Sequence, residues 1–346
     1  MGITEKIYNI LKQRLEEGCY KPGSKFPSES MLADEFAVNK MTMNKIVSRL
    51  AGEDYLIRGV RGAGTKVNNR IQQKVKGSIA FIGILQPYRV RILNGCISEC
   101  ARNNYNLIID TPRIEDLQHR LQVLKNSGIK GIISVGYGIF DLPENMKHIC
   151  VDHVPAPSEK NPDRGFINSD SYQGGSLMMQ EVLRRGHREI LVFCTEQFSQ
   201  NPHATGKPRV TAFHHVMESA GITDFKKRTF YGAHFSMADA RHFLKTYLNR
   251  YPETTLIVTD SDNSAELLHK AARELKIKCP GDIALTGFGD ITLLPIATVH
   301  QNPEWQGEMA VRHLISMIEH PDQQYQIDEY METDLVNVEE IPIRLD

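Results

Sequence analysis

KFPSESMLADEFAVNKMTMNKIVSRL, residues 25–50, decides the fold of the first part of the chain. Ser28 is placed to cap a short helix whose Met31, Leu32 and Phe36 face inward and which ends near Ala37. Asn39 is placed to cap the next, whose inward stripe is Met43, Ile46, Val47 and Leu50. That stripe leaves Lys40, Met41, Asn44 and Lys45 crowded at the outward N-terminal end of the second helix. Two short helices joined this way are the helix-turn-helix arrangement, in which the first turns of the second helix meet base edges in the major groove. Asparagine there can pair with adenine, and lysine with guanine or phosphate.

Working outward, Ile3, Ile7, Ile10, Leu11 and Leu15 predict a preceding helix between Thr4 as N-cap and Gly18 as stop, and Pro22-Gly23 supplies a turn. Downstream, YLIRGVRGAGTKV reads as two short strands around a glycine-rich tip, a wing from which Arg61 can reach into an adjacent minor groove. Charge follows the same division. Residues 1–70 carry 12 Lys and Arg against 8 Asp and Glu, and the remaining residues carry 29 against 34, so a basic head is joined to an acidic body.

GCYKPGSKFPSESMLADEFAVNKMT (18–42), LAGEDYL (50–56) and GAGTKV (62–67) together resemble the winged helix-turn-helix of the GntR family of bacterial regulators. The resemblance implies DNA contacts at Ser30, Lys40, Met41, Thr42, Asn44, Arg61 and Gly62, and Ser28 and Lys45 complete the candidate set. Ser30 and Asn44 stand where arginine is common in that family, and Met41 where a polar residue is usual.

Beyond residue 76 the pattern changes. GSIAFIGIL (77–85) is an apolar run of strand length, followed by a helical stretch and a second strand, YNLIIDT. Strand-like runs continue through GIKGIISVG, HICVDHV, REILVFC, TTLIVTD and DIALTGFG, separated by helical stretches, which predicts an α/β body of parallel sheets. The strands are too many for one sheet, so two lobes are expected. They would cross near Asn168–Asp170, near Ile296–Gln301 and in the C-terminal strands, with ligand beyond the carboxyl ends of the strands. The expected division is a head over 1–70, a linker over 71–76 and a two-lobed effector-binding and dimerisation body over 77–346.

Asp170, Gly174, LRRGHREI, Arg209, Phe213, PGDIALTGF (280–288), Thr298, Val299, Gln301 and Gly307 resemble the effector domain of LacI/GalR-type repressors, itself similar to periplasmic binding proteins. A GntR-type head on such a body is the architecture of AraR-like arabinose repressors, which implies a sugar-responsive repressor. Where that resemblance puts ligand contacts, Arg209 can fork hydrogen bonds to vicinal hydroxyls. Tyr88 and Arg89 follow the first body strand, Tyr137 ends another, and Asp262, Asp290 and Gln301 complete the candidates. Ser261 replaces the family's usual asparagine, and Gly289 the first of two aspartates. The lone tryptophan, Trp305, is expected to pack rather than stack on ligand.

Other function classes fit less well. The GKP at 206–208 lacks the earlier glycine and the Ser/Thr of a phosphate-binding loop, and neither SVGYG nor GAGTKV completes a dinucleotide fingerprint, so no enzyme is expected. The six cysteines show no metal-ligand spacing and are expected to be buried reduced thiols, with no cofactor or metal. The acidic residues from Glu5 onward speak against a secretory signal, and no apolar run is long enough to cross a membrane, so a cytoplasmic protein is expected. The expected partners are double-stranded palindromic operator DNA, a small effector that is a sugar, and a second copy of the chain. A sugar-binding protein, or a regulator answering to a non-sugar metabolite, is the alternative.

Overall fold

The computed structural model describes residues 2–59, 64–69, 75–195, 206–232 and 236–344. Two compact units make up the chain: Met1–Ser78 with Cys100–Asn106, and Ile79–Glu99 with Leu107–Asp346.

In the first unit, α1 (Ile3–Glu16), α2 (Glu29–Glu35) and α3 (Lys40–Gly52) precede an antiparallel pair, β1 (Leu56–Arg58) and β2 (Thr65–Val67). Its core gathers Ile7, Leu11 and Leu15 of α1, Leu32 of α2, Met43, Ile46, Val47 and Leu50 of α3, and Leu56 and Val67 of the strands. Both anticipated caps form. Ser28 Oγ accepts from the Met31 amide at 3.2 Å, and Asn39 Oδ1 from the Thr42 amide at 2.7 Å. Two expectations fail. Thr4 lies inside α1, because the chain already enters the helix from an extended Gly2. Met31 is 64% exposed, because Leu32 and Ala33 take the only buried face of a helix two turns long.

The turn between α2 and α3 forces Ala37 to φ 50°, where its Cβ crowds the following carbonyl. Replacing Ala37 with glycine relieves that clash at some entropic cost. Stability should rise by about 0.5–1 kcal/mol in chemical denaturation with the denaturant slope unchanged.

The body, whose β3, α4 and β4 share their ends with the first unit, is doubly wound. Its larger sheet holds β3 (Gly77–Gly83), β4 (Tyr105–Asp110), β5 (Gly131–Val135), β6 (Lys147–Val151), β7 (Arg164–Ser169) and β13 (Asp328–Met331) in the order β13-β7-β6-β5-β3-β4. α4 (Pro87–Asn103) and α5 (Leu117–Asn126) belong to this lobe, and α10 (Pro303–Glu319) packs on β5, β6 and β7. The smaller sheet has the order β11-β10-β8-β9, from β8 (Ile190–Thr195), β9 (Thr229–Gly232), β10 (Leu256–Thr259) and β11 (Ala284–Thr286), all paired in parallel. It alternates with α6 (Ser171–Arg184), α7 (Gly206–Ser219), α8 (Met237–Arg250) and α9 (Asp262–Glu274). A separate pair, β12 (Thr298–His300) and β14 (Asp334–Val336), is antiparallel.

The chain passes between lobes after Ser169, between His300 and Pro303, and between Met331 and Asp334, matching the crossings expected from the sequence. One expected crossover helix is absent: β5 and β6 pair in parallel, yet residues 136–146 between them contain no helix. There Tyr137 and Phe140 of the connecting loop pack against the core around Ala80, Ile82 and Leu121. β7 and β9 were not picked out from the sequence.

All six cysteines are reduced thiols. Cys96, Cys100, Cys150 and Cys194 are buried, but Cys19, contrary to expectation, is exposed, because it follows the stop of α1 at the left-handed Gly18. Among the described residues no helix is long and apolar enough to cross a membrane, and no cluster of three or more His, Cys, Asp or Glu could hold a metal.

Candidate effector cleft and DNA-reading surface

The sheet topology gives the position expected for a ligand site. In the larger sheet β3 lies between β4 and β5, and in the smaller β8 lies between β9 and β10, so the winding reverses at the β3/β5 and β8/β10 boundaries. Ligands of such folds sit beyond the strand ends at these reversals. Tyr88, Arg89 and Gly136 follow β3 and β5, and Thr195 and Asp260 occupy the corresponding ends of β8 and β10.

Arg209, in the first turn of α7, is 5% exposed. Its helix approaches α6 closely at Gly175, where an added Cβ would come within 2.6 Å of the Arg209 carbonyl oxygen. The guanidinium donates through Nη1 to the Asp260 carbonyl at 2.5 Å and through Nη2 to Ser171 Oγ at 3.3 Å, and lies 3.7 Å over the Phe288 ring. Its Nε is buried with no partner among the described residues. Such a donor is costly to leave unmet, and a ligand hydroxyl would satisfy it.

Arg209 does not take the Asp260 carboxylate, which accepts instead from the Thr195 amide at 2.8 Å, Thr195 Oγ1 at 3.1 Å and Ser264 Oγ at 2.6 Å. Burial pushes the Asp260 carboxyl above the ordinary aspartate range, and these bonds with the Arg209 charge oppose the shift. Burial likewise lowers Arg209, against the carboxylates of Asp260 and Asp152.

On the other lobe the Tyr88 hydroxyl accepts from Gln306 Nε2 at 2.9 Å and Gln301 Nε2 at 3.4 Å, while Gln301 Nε2 donates to Ser169 Oγ at 2.7 Å. The Tyr88 phenol is raised above its usual pKa, first by burial and then by Asp152. Asp152 therefore acts on both Tyr88 and Arg209, and its Oδ2 lies 4.0 Å from Arg89 Nη2. The Arg89 guanidinium passes over Gly136, where a Cβ would meet Nη1 at 2.5 Å. Tyr88, Arg89, Arg209 and Gln301 are thus brought together with an aromatic floor and both donors and acceptors. Asp152, Asp260, Ser171 and Gln306 were missed in the sequence. Asp152 and Asp260 carried one readable signal, an aspartate placed directly after a strand.

Three candidates are committed elsewhere. Asp262, expected to touch ligand, spends both oxygens inside the protein. Oδ2 accepts from the Ile291 and Thr292 amides at 2.7 and 3.3 Å, and Oδ1 from Thr298 Oγ1 at 2.5 Å. Nor does it cap α9, since Ser261 does that. Asp262→Asn puts an amide against these donors and should lower stability by about 2 kcal/mol, read from denaturation midpoints, without changing the fold. Asp290 bonds His300 Nδ1 at 2.8 Å and lies 3.4 Å from Arg91, which also bonds Glu304 at 2.7 Å, so its carboxylate joins α4 to the second lobe. Tyr137 packs on the first-lobe core and donates its hydroxyl to the Pro112 carbonyl at 2.5 Å. Trp305 is 44% exposed beneath the Arg312 guanidinium, 4.9 Å from its ring centre. A concavity of about 430 Å³ lined by Lys160, Arg164, Tyr325 and Asp328 lies apart from this cluster.

On the head, Ser28, Ser30, Lys40, Met41 and Lys45 are exposed, and Thr42 and Asn44 are half-buried. Arg61 and Gly62 fall outside the described residues. Asn44 is held by Glu29, and Arg58 Nη2 bonds the same carboxylate at 2.9 Å.

Comparison with known proteins matches this geometry. The family of bacterial regulatory proteins, gntR family, matches residues 3–67, and the periplasmic binding protein-like domain matches residues 179–337. The N-terminal unit therefore resembles a GntR-type head, and the region from α6 to β14 a periplasmic-binding-protein-like domain. The arabinose metabolism transcriptional repressor of Geobacillus stearothermophilus is 24% identical over 334 residues, covering 87% of each chain. The HTH-type transcriptional repressor PurR of Haemophilus influenzae is 24% identical over 246 residues, 68% of this chain and 72% of that one. The structure of a transcriptional regulator CelR–cellobiose complex aligns with TM-score 0.63 at 16% identity, over 90% of this chain and 98% of that one. The gntR-family match spans the helix-turn-helix and both strands of the wing, and the periplasmic-binding-protein-like match spans the whole smaller sheet.

Proposed function

We propose that this chain is a DNA-binding transcriptional repressor whose hold on operator DNA is released by a small carbohydrate. In this reading residues 1–70 form the DNA-binding head, 71–76 a linker and 77–346 the effector and dimerisation body. Two copies place their recognition helices about one duplex turn, or a multiple of it, apart on a palindromic site. Ligand favours closure of the two lobes, and closure alters the dimer geometry that sets the spacing of the heads.

The observation that carries the reading is the buried Arg209, whose Nε meets no partner among the described residues and whose guanidinium lies over Phe288, together with the Tyr88–Gln301 pair that follows the reversal of the larger sheet. A fork of donors beside an aromatic face suits the hydroxyl rim and apolar face of a sugar. Repressor relatives and a cellobiose-bound structural neighbour agree with it.

A thermal-shift screen of pentoses, hexoses and their phosphates tests it, because a ligand that binds only the folded state raises apparent stability. One sugar should raise the melting temperature and also release a selected operator fragment. A second reading, a repressor answering to a non-sugar metabolite, is favoured by Gly289 and by Asp262 and Asp290, which leave fewer free acceptors for hydroxyls. It gains if no sugar in the screen binds and a non-sugar metabolite tested beside them does.

A further inference from the structure

Asn44 does not stand free on the reading surface. Its Nδ2 lies 2.9 Å from Glu29 Oε1 and 3.0 Å from Oε2, and Glu29 is the first residue of α2, directly after the Ser28 cap. An ionised carboxylate only accepts hydrogen bonds, so the amide must turn its nitrogen toward Glu29 and its oxygen away. Arg58 on β1 completes the device. Its Nη2 bonds Glu29 Oε1 at 2.9 Å and the main-chain carbonyl of Asn44 at 3.3 Å, which compensates the acidic charge on a surface that must approach phosphate.

A free asparagine can rotate its amide by half a turn and offer either end to a base. This one cannot do so without facing oxygen to oxygen. With one Nδ2 hydrogen held between the carboxylate oxygens, the edge left for a base is Oδ1 with the remaining N–H. Adenine presents a matching donor and acceptor, N6 and N7, in the major groove. Guanine presents two acceptors, N7 and O6, and opposes Oδ1 with one of them.

We infer that Glu29 is a positioning residue that sets sequence specificity: it locks the amide of Asn44 in the orientation that accepts adenine and rejects guanine. The inference rests on the head reading duplex DNA through α3.

The test uses the full-length protein and duplexes selected from a random pool. One base pair per half-site should lose its influence on affinity in Asn44→Ala. At that position adenine should be preferred over guanine roughly tenfold or more by the wild type. In Glu29→Gln the carboxamide can turn a donor or an acceptor toward Asn44, so the adenine-to-guanine ratio there should fall to about threefold or less while preferences elsewhere persist. Melting curves of both variants separate this from loss of fold, because a merely structural Glu29 would weaken all sequences together.

An unchanged ratio in Glu29→Gln, a guanine preference in the wild type, or an Asn44→Ala variant with unaltered preferences each overturns the inference. If the wild type enriches no sequence over random duplex, the DNA-reading role itself fails. The two failures are therefore distinguishable.

Discussion

Replacing Arg209 with methionine is expected to produce a repressor that no longer answers to its ligand. Methionine keeps much of the packing against Phe288 and removes the guanidinium donors of the candidate site. Hydrogen bonds from a charged group contribute about 1.5–3 kcal/mol each, so losing two of them to ligand lowers its affinity by about 100-fold or more. Calorimetric titration of the variant with the sugar found by thermal shift measures this directly. Operator affinity without ligand should stay within about twofold of wild type, since no head residue changes. Arg209→Lys should not rescue the response. A single ammonium cannot reproduce the planar fork that reaches the Asp260 carbonyl and Ser171 while still facing the cleft. Ligand affinity unchanged in Arg209→Met would remove the arginine from the effector site.

The second large effect is expected on the head. Lys40→Ala with Asn44→Ala removes two side chains from the N-terminal turns of α3, and each lost base contact costs about 1–3 kcal/mol. The double variant should therefore bind the operator roughly 30-fold to 10⁴-fold more weakly while binding sugar as the wild type does. Affinity for random duplex should fall far less in the Asn44 single variant than in the Lys40 one, because a lysine also meets phosphate. Unchanged operator affinity in the double variant would place the reading surface elsewhere.

The fold was legible where local chemistry decides it. The Ser28 and Asn39 caps, the stripe from Met43 to Leu50 and the strand runs at 77–83 and 131–135 each follow from a few neighbouring residues. Failures arose where tertiary context overrides local pattern. Met31 sits at a helical spacing that a helix two turns long cannot bury, and the β5–β6 crossover proceeds without a helix.

The candidate site was less legible than the fold for the same reason. Arg209, Tyr88 and Gln301 could be picked out from resemblance and from their position near strand ends. The roles of Asp262 and Asp290 could not, because each has a partner far along the chain: Thr298 for one, Arg91 for the other. A carboxylate at a strand end looks the same in sequence whether it faces a ligand or closes a loop.

The claim that joins both halves of the protein is that ligand in the cleft and DNA on the head are energetically coupled, and coupling of this kind is reciprocal. The direct measurement is operator affinity with and without saturating sugar, paired with sugar affinity with and without saturating operator, on the full-length protein. The account predicts that both affinities fall by the same factor, about 5- to 150-fold. Operator affinity that is the same in both conditions, with sugar demonstrably bound, would contradict it.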